Sequence, residues 1–189
     1  MSILTSRRRL VAVAAVLTIA AGIVAGCGEY RAYRGKPQGF STHRFRILYP
    51  DYFEHESIPQ MKHRELVLAL LFYNVPVGGE QTPIPPLIYV RCYRMREHDT
   101  VRTFMERFYD NQAARTLDVR LRRVDKGPSG GPEYLLTIKD TGQVTRFIPL
   151  PRERLVYAVE TSCGPQYRAH FDDILRRVRE SFTILPVPR

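Results

Sequence analysis

This chain holds no set of residues spaced to bind a metal. Its five histidines, His43, His55, His63, His98 and His170, never fall in pairs at helical or hairpin ligand spacing, and no Cys-x-x-Cys accompanies them. A phosphate-binding loop is missing as well, because no Gly-Lys-Ser/Thr follows the glycines at 127, 130 and 131. Those glycines surround Ser129, but not in the Gly-x-Ser-x-Gly order of a nucleophile elbow, and Pro128 precedes the serine, so a turn is the better account. His170 and Asp173, three apart on a predicted helix, read as surface residues. No internal repeat is present. Long helical crossovers between successive strands are scarce too, which argues for a mostly antiparallel sheet. Acid is in short supply, with 19 Asp and Glu against 29 Lys and Arg.

What the chain does have begins at its first residues. Arg7, Arg8 and Arg9 precede Leu10–Gly26, a run that is apolar or small apart from Thr18 and closes on Val24-Ala25-Gly26-Cys27. A positive end, an apolar middle and small residues at the end are the layout of a secretory signal. Val-Ala-Gly-Cys resembles the lipobox of bacterial lipoproteins, and the resemblance implies cleavage before Cys27 and lipidation on it. The alternative is an uncleaved anchor, since 17 residues reach the lower limit of about 17–25 for a spanning helix. Either way the arginines stay on the cytoplasmic side and the rest is exported. The expectation is residues 1–26 as signal, 27–42 as a lipidated tether and 43–185 as one domain. In a Gram-negative cell, Gly28 after the cysteine, in place of aspartate, favours the outer membrane.

With Arg7–Arg9 set aside, 26 basic residues face 19 acidic ones, a net charge of +7. An exported lipoprotein rarely meets nucleic acid, so anionic headgroups, acidic glycans or an acidic protein are the natural counterparts, alongside a plain solvated surface. Gly28–Thr42, with its glycines, Pro37 and basic residues, reads as a linker. His43–Tyr49 alternates with period two and predicts a strand, whereas Tyr52–His63 has no clear period. Glu65–Asn74 is an apolar run read as a doubly buried strand, and Val75–Pro86 is a Pro/Gly loop. Leu87–Met95 alternates again. Asp99 is a candidate N-cap for a helix whose apolar face is Val101, Phe104, Met105 and Phe108. Strands follow at Leu117–Val124, Glu133–Lys139, Gln143–Ile148 and Arg154–Thr161. A last helix opened by Gly164-Pro165 buries Phe171, Ile174, Leu175, Val178 and Phe182, and Pro186 and Pro188 end the pattern. The fold class is α+β, with a mostly antiparallel sheet of six to seven strands flanked by two or more helices.

The order of these elements is similar to the PsbP-like αβα sandwich. The residues that carry the likeness are Asn74 and Pro76 closing a buried strand, Asp99-Thr100 opening the helix, the Leu155–Val159 strand, and Arg179–Phe182 closing the last helix. That fold is shared by a photosystem extrinsic protein, a Ran-binding import factor and several bacterial lipoproteins. The resemblance implies a non-catalytic module, because most members bind proteins.

Three sets of side chains remain as candidates. Cys92 and Cys163 form an even pair in an exported chain and are read either as a disulfide or as two small buried thiols. Arg115, Arg120, Arg122 and Arg123 form the densest basic cluster. They suit either recognition of carboxylate or phosphate groups or a charge-guarded sheet edge. Tyr89 and Tyr93 with Arg91 between them suit a partner surface or core packing. The functional expectation is a membrane-anchored, non-enzymatic interaction or assembly module with an envelope protein partner, without a cofactor. The runner-up is a carrier of a small or lipidic ligand.

Overall fold

The structure is a computed structural model that describes residues 29–35, 44–58, 65–74 and 86–185. The expectations for the leader, for Cys27 and for most of the Val75–Pro86 loop lie outside the described residues. The chain divides into two compact units, residues 1–30 and 31–189, and only Glu29 and Tyr30 of the first are described.

Ten strands and two α-helices are described: β1 Tyr30–Gly35, β2 Arg44–Pro50, β3 Phe53–Ser57, β4 Leu66–Asn74, β5 Leu87–Arg94, α1 Val101–Ala113, β6 Val119–Val124, β7 Glu133–Ile138, β8 Gln143–Leu150, β9 Leu155–Ser162, α2 Arg168–Ser181 and β10 Thr183–Leu185. Seven strands form one sheet in the order β3-β4-β5-β9-β8-β7-β6, with every neighbouring pair antiparallel. The α+β expectation with a mostly antiparallel sheet therefore holds. A second sheet, β1-β2-β10, is smaller.

The central strand β9 explains the layering. Leu155, Tyr157 and Val159 point into one core, which is closed by Phe171, Leu175 and Val178 of α2 and by Phe45 and Ile47 of β2. Val156 and Ala158 point into the other, closed by Phe104 and Met105 of α1. Period-two alternation thus feeds two separate cores, and the sheet is the middle layer between α1 on one face and α2 with the small sheet on the other.

Three stretches differ from the sequence reading. Tyr30–Gly35, read as tether, contains β1, because Tyr33 finds aromatic partners in Phe45 (ring centroids 6.0 Å) and Phe72 (5.6 Å). Phe53–Ser57 is an edge strand although it shows no period, since only Phe53 of its five residues is buried. Beyond the last helix the chain adds β10, which pairs with β2 through Thr183↔Arg46 and Leu185↔Arg44. The N-cap of α1 also moves by one residue. Thr100 accepts from the Thr103 amide (3.2 Å) while Thr103 Oγ1 accepts from the Thr100 amide (2.9 Å), a reciprocal capping box. Asp99 is thereby free to accept from the Arg96 amide (3.0 Å). Among the described residues, no helix is long and apolar enough to cross a membrane.

The cysteine pair is resolved by register. β5 and β9 set Cys92 opposite Tyr157 and Leu87 opposite Ser162, so Cys163 lies six positions along the sheet from Cys92, about 20 Å at ~3.3 Å per residue. A disulfide needs Cα atoms within about 7 Å. Both thiols are free and buried, which corrects the disulfide reading in favour of two packed thiols. Burial pushes the Cys92 thiol up to about 12, against a hydrogen bond from Tyr157 that works the other way, and burial raises Cys163 as well. Neither is a nucleophile at neutral pH. Iodoacetamide should leave both untouched in the folded protein and alkylate both in denaturant without reductant, read by peptide mass. Protection that persists in denaturant until reductant is added would restore the disulfide.

Candidate functional site

The polar flank of α1 follows from its spacing. Phe104 and Met105 are buried under the helix, and Phe108 meets Phe147 edge-on at 4.9 Å. Arg107 and Asn111 fall four residues apart, and Arg115 follows just beyond the helix, on the side that overlooks β4 and β5. Below them Tyr93 packs against Phe104 and Phe108 at 6.1 and 5.8 Å. The space between is a cleft of about 500 Å³ whose lining includes Glu65, Arg91, Arg96, Arg107 and Arg115.

Carboxylates hold three of the four guanidinium groups. Arg107 Nη1 donates to both oxygens of Glu65 at 2.9 Å, and its Nη2 donates to Asp99 at 2.5 Å. Arg96 Nε reaches Glu65 from another side at 2.5 Å. Arg91 donates to Glu160 at 2.5 Å and lies 4.5 Å from the centre of the Tyr89 ring. Arg115 has no ion-pair partner among the described residues. Burial by itself would raise the Glu65 carboxyl, but hydrogen bonds and charge from Arg107 and Arg96 outweigh it and hold the group below its ordinary value. Burial likewise opposes the charge on Arg91, and Glu160 outweighs it. Glu65 is therefore ionised at neutral pH, the guanidinium groups of Arg91, Arg96 and Arg107 are pre-oriented by carboxylates, and Arg115 is left in the cleft without one.

The arginines singled out in the sequence do not converge on one site. Arg115 stands at the rim of this cleft. Arg120 and Arg122 lie on β6, at the edge of the large sheet. Arg123 pairs with Asp125 at 3.2 Å and borders a separate cavity of about 640 Å³, walled by Pro128, Pro132, Pro149 and Pro151 beside the start of α1. Of the Tyr89–Arg91–Tyr93 group, Arg91 and Tyr93 do reach the cleft. Sequence reasoning missed Glu65, Arg96 and Arg107, whose contacts span 31 and 42 residues. The one local signal was the polar stripe Arg107, Asn111, Arg115 at helical spacing.

Ser129, in the glycine-rich turn, serves the framework. Its amide donates to Glu133 at 2.9 Å and its hydroxyl to the same oxygen. Glu133 is ion-paired with Arg146 at 2.6 Å, with both side chains almost fully buried, and Arg146 Nη1 also donates to the carbonyls of Arg179 (2.5 Å) and Phe182 (3.2 Å) at the end of α2. A Cβ at position 127 would sit 2.0 Å from the Glu133 carboxylate carbon, so only glycine fits there.

No described protein family matches this chain, and no curated protein matches it. Solved structures do. LpqN of Mycobacterium tuberculosis, a protein involved in cell envelope biogenesis, matches with a TM-score of 0.50 at 13% identity, over 84% of this chain and 93% of LpqN. CyanoP, the PsbP of the cyanobacterium Synechocystis sp. PCC 6803, matches with a TM-score of 0.49 at 12% identity, over 85% of this chain and 96% of its own. The Ran-binding protein Mog1p of Saccharomyces cerevisiae matches with a TM-score of 0.47 at 10% identity, over 82% and 95%. The chain shares the fold of LpqN. At such identities the likeness speaks of fold alone.

Proposed function

We propose that this chain is a lipid-anchored lipoprotein of the bacterial envelope whose folded domain docks a partner protein and carries out no catalysis. The observation that carries the reading is the α1 cleft. Guanidinium groups pre-oriented by Glu65, Asp99 and Glu160 surround a floor of Phe104, Phe108 and Tyr93, and arginine with aromatic side chains is the composition of interaction hot spots. The buried titratable groups outside it serve other ends: Glu133 and Arg146 tie strands to helix, and both thiols are packed. The lipobox at Val24–Cys27 supports the anchor, and the fold shared with LpqN, a protein of envelope biogenesis, is in keeping with an envelope role.

Intact mass on protein extracted from its native membrane, followed by crosslinking in that membrane, tests both halves. The expected mass begins at Cys27 with acyl chains added, and the expected crosslink joins one dominant envelope protein and weakens in R96E/R115E. A mass that retains residues 1–26 would overturn the anchor, and a crosslink pattern unchanged by R96E/R115E would overturn the cleft.

A second reading, carriage of a small or lipidic ligand, is favoured by the proline-walled cavity near 640 Å³, which lies within the usual range of about 300–1,000 Å³ for ligand pockets. A co-purifying small molecule in native mass spectra, with no protein partner, would decide for it.

A further inference from the structure

The large sheet ends at β6 among the described residues: β7 pairs with it on one side and no strand follows on the other. Such an edge presents unpaired backbone N–H and C=O groups, here with the exception of the Val119 carbonyl, which is taken by Tyr109. Its two faces differ in kind. Toward α1, half-buried Val119 and Leu121 share an open groove with Tyr109, Glu106 and Asp110, and Arg120 and Arg122 border the same groove along the strand. The Tyr109 hydroxyl donates to the Val119 carbonyl at 3.4 Å and fixes helix against strand. Toward the opposite face, Arg120 and Arg122 stand exposed two residues apart, with no ion-pair partner among the described residues. Leu117, just before the strand, is 81% exposed, the most exposed large apolar side chain described.

We propose that β6 is the docking edge for an added strand, supplied by a partner protein as an extended segment of alternating apolar and acidic residues. The inference rests on the interaction reading above and gives that partner a chemistry. Backbone pairing supplies the general affinity of strand addition, and side chains on alternate positions supply the selectivity. Apolar residues of the segment enter the groove over Val119, Leu121 and Tyr109. Acidic residues are received by the exposed Arg120 and Arg122, whose spacing of about 6.6 Å matches every second residue of a strand. Pairing with β6 of a second copy is disfavoured, because antiparallel pairing about Leu121 sets Arg120 opposite Arg122, and like charges directly opposite are destabilising. The edge arginines thus disfavour β6-to-β6 pairing while selecting acid, and the acid-bearing edge of a second copy, with exposed Glu54 and Glu56 on β3, is the competing occupant that the test must separate.

The test uses the full-length chain in detergent micelles and two capped octapeptides, one alternating valine and glutamate, the other valine and lysine. Amide NMR shifts should saturate at residues 119–124 and at Tyr109 with the glutamate peptide, bind about tenfold more weakly with the lysine peptide, and reverse preference in R120E/R122E. Both arginines are exposed, so the variant should keep the parent circular dichroism and Tm. Four results overturn the proposal: no saturable shift on β6, a glutamate-peptide affinity unchanged in R120E/R122E, β6 amides fully protected from exchange in the free protein, or self-association abolished by E54R/E56R on the opposite edge strand. If the membrane crosslink survives while these peptides fail, the docking edge is wrong and the envelope reading stands.

Discussion

Arg146→Met lowers the stability of the folded domain by about 3–5 kcal/mol at pH 7, measured by urea unfolding, because it leaves the Glu133 carboxylate buried without its cation. Two losses coincide in this variant. Glu133 keeps only the two donors of Ser129, and the carbonyls of Arg179 and Phe182 lose the guanidinium that caps the end of α2. The second loss distinguishes this pair from an isolated buried ion pair. Replacing both partners with apolar residues of similar size, E133L/R146M, should recover part of the stability and leave the loss of the helix cap. A drop below about 1 kcal/mol in R146M, or full recovery in the double variant, would contradict the arrangement.

The same pair makes a pH prediction with a definite sign. Burial would raise the Glu133 carboxyl, but hydrogen bonds from Arg146 and Ser129 outweigh it, so the folded-state value lies below the ordinary 4.5. A depressed carboxylate contributes stability that is fully present above its unfolded value and is lost as pH falls through the folded one. Glu65 contributes with the same sign through Arg107 and Arg96. The wild type should therefore lose stability progressively below pH 4.5. The R146M deficit should shrink over that range, because a protonated Glu133 no longer needs the arginine. A deficit that stays constant from pH 7 to pH 3 would show that the guanidinium acts on the helix end alone.

The elements legible in the sequence were those whose burial alternates or is continuous. β5 reads Ile88, Val90, Cys92 inward, and both helices announce their apolar faces at Phe104/Phe108 and Phe171/Leu175/Val178. β3 was not legible, because an edge strand with one buried residue has no period to detect. Nor was β10, whose three residues hold their place through pairing with β2, more than 130 residues earlier in the chain. β1 was masked by its glycine- and arginine-rich neighbourhood, while its structural role depends on Tyr33 meeting Phe45 and Phe72. Sites fared worse for the same reason. Arg115, Arg120, Arg122 and Arg123 are close in sequence, but the turn into β6 and the alternation along it send them to three different surfaces. The cleft is assembled instead from Glu65 and Arg107, whose pairing no local pattern reveals.

Phe182→Ala should cost about 3–5 kcal/mol, although the residue lies one position past the last helix. Its side chain is fully buried, with its ring 5.4 Å from that of Phe45, nearly parallel, and 5.5 Å from that of Tyr157. These three rings join the small sheet, through Phe45 of β2, to the central strand β9. Removing Phe182 opens a cavity between the layers and frees the start of β10. Hydrogen exchange should therefore quicken first in β2 and β10 and leave β9 unchanged, a separation that uniform destabilisation would not produce. Phe182→Leu keeps most of the volume and should lose no more than about 1.5 kcal/mol. A double-mutant cycle with Phe45→Ala should show the two losses to be coupled by about 0.5–1.5 kcal/mol, since the aromatic contact is removed only once. Strict additivity, or equal quickening of exchange in β9, would mean that the ring triad does not join the layers.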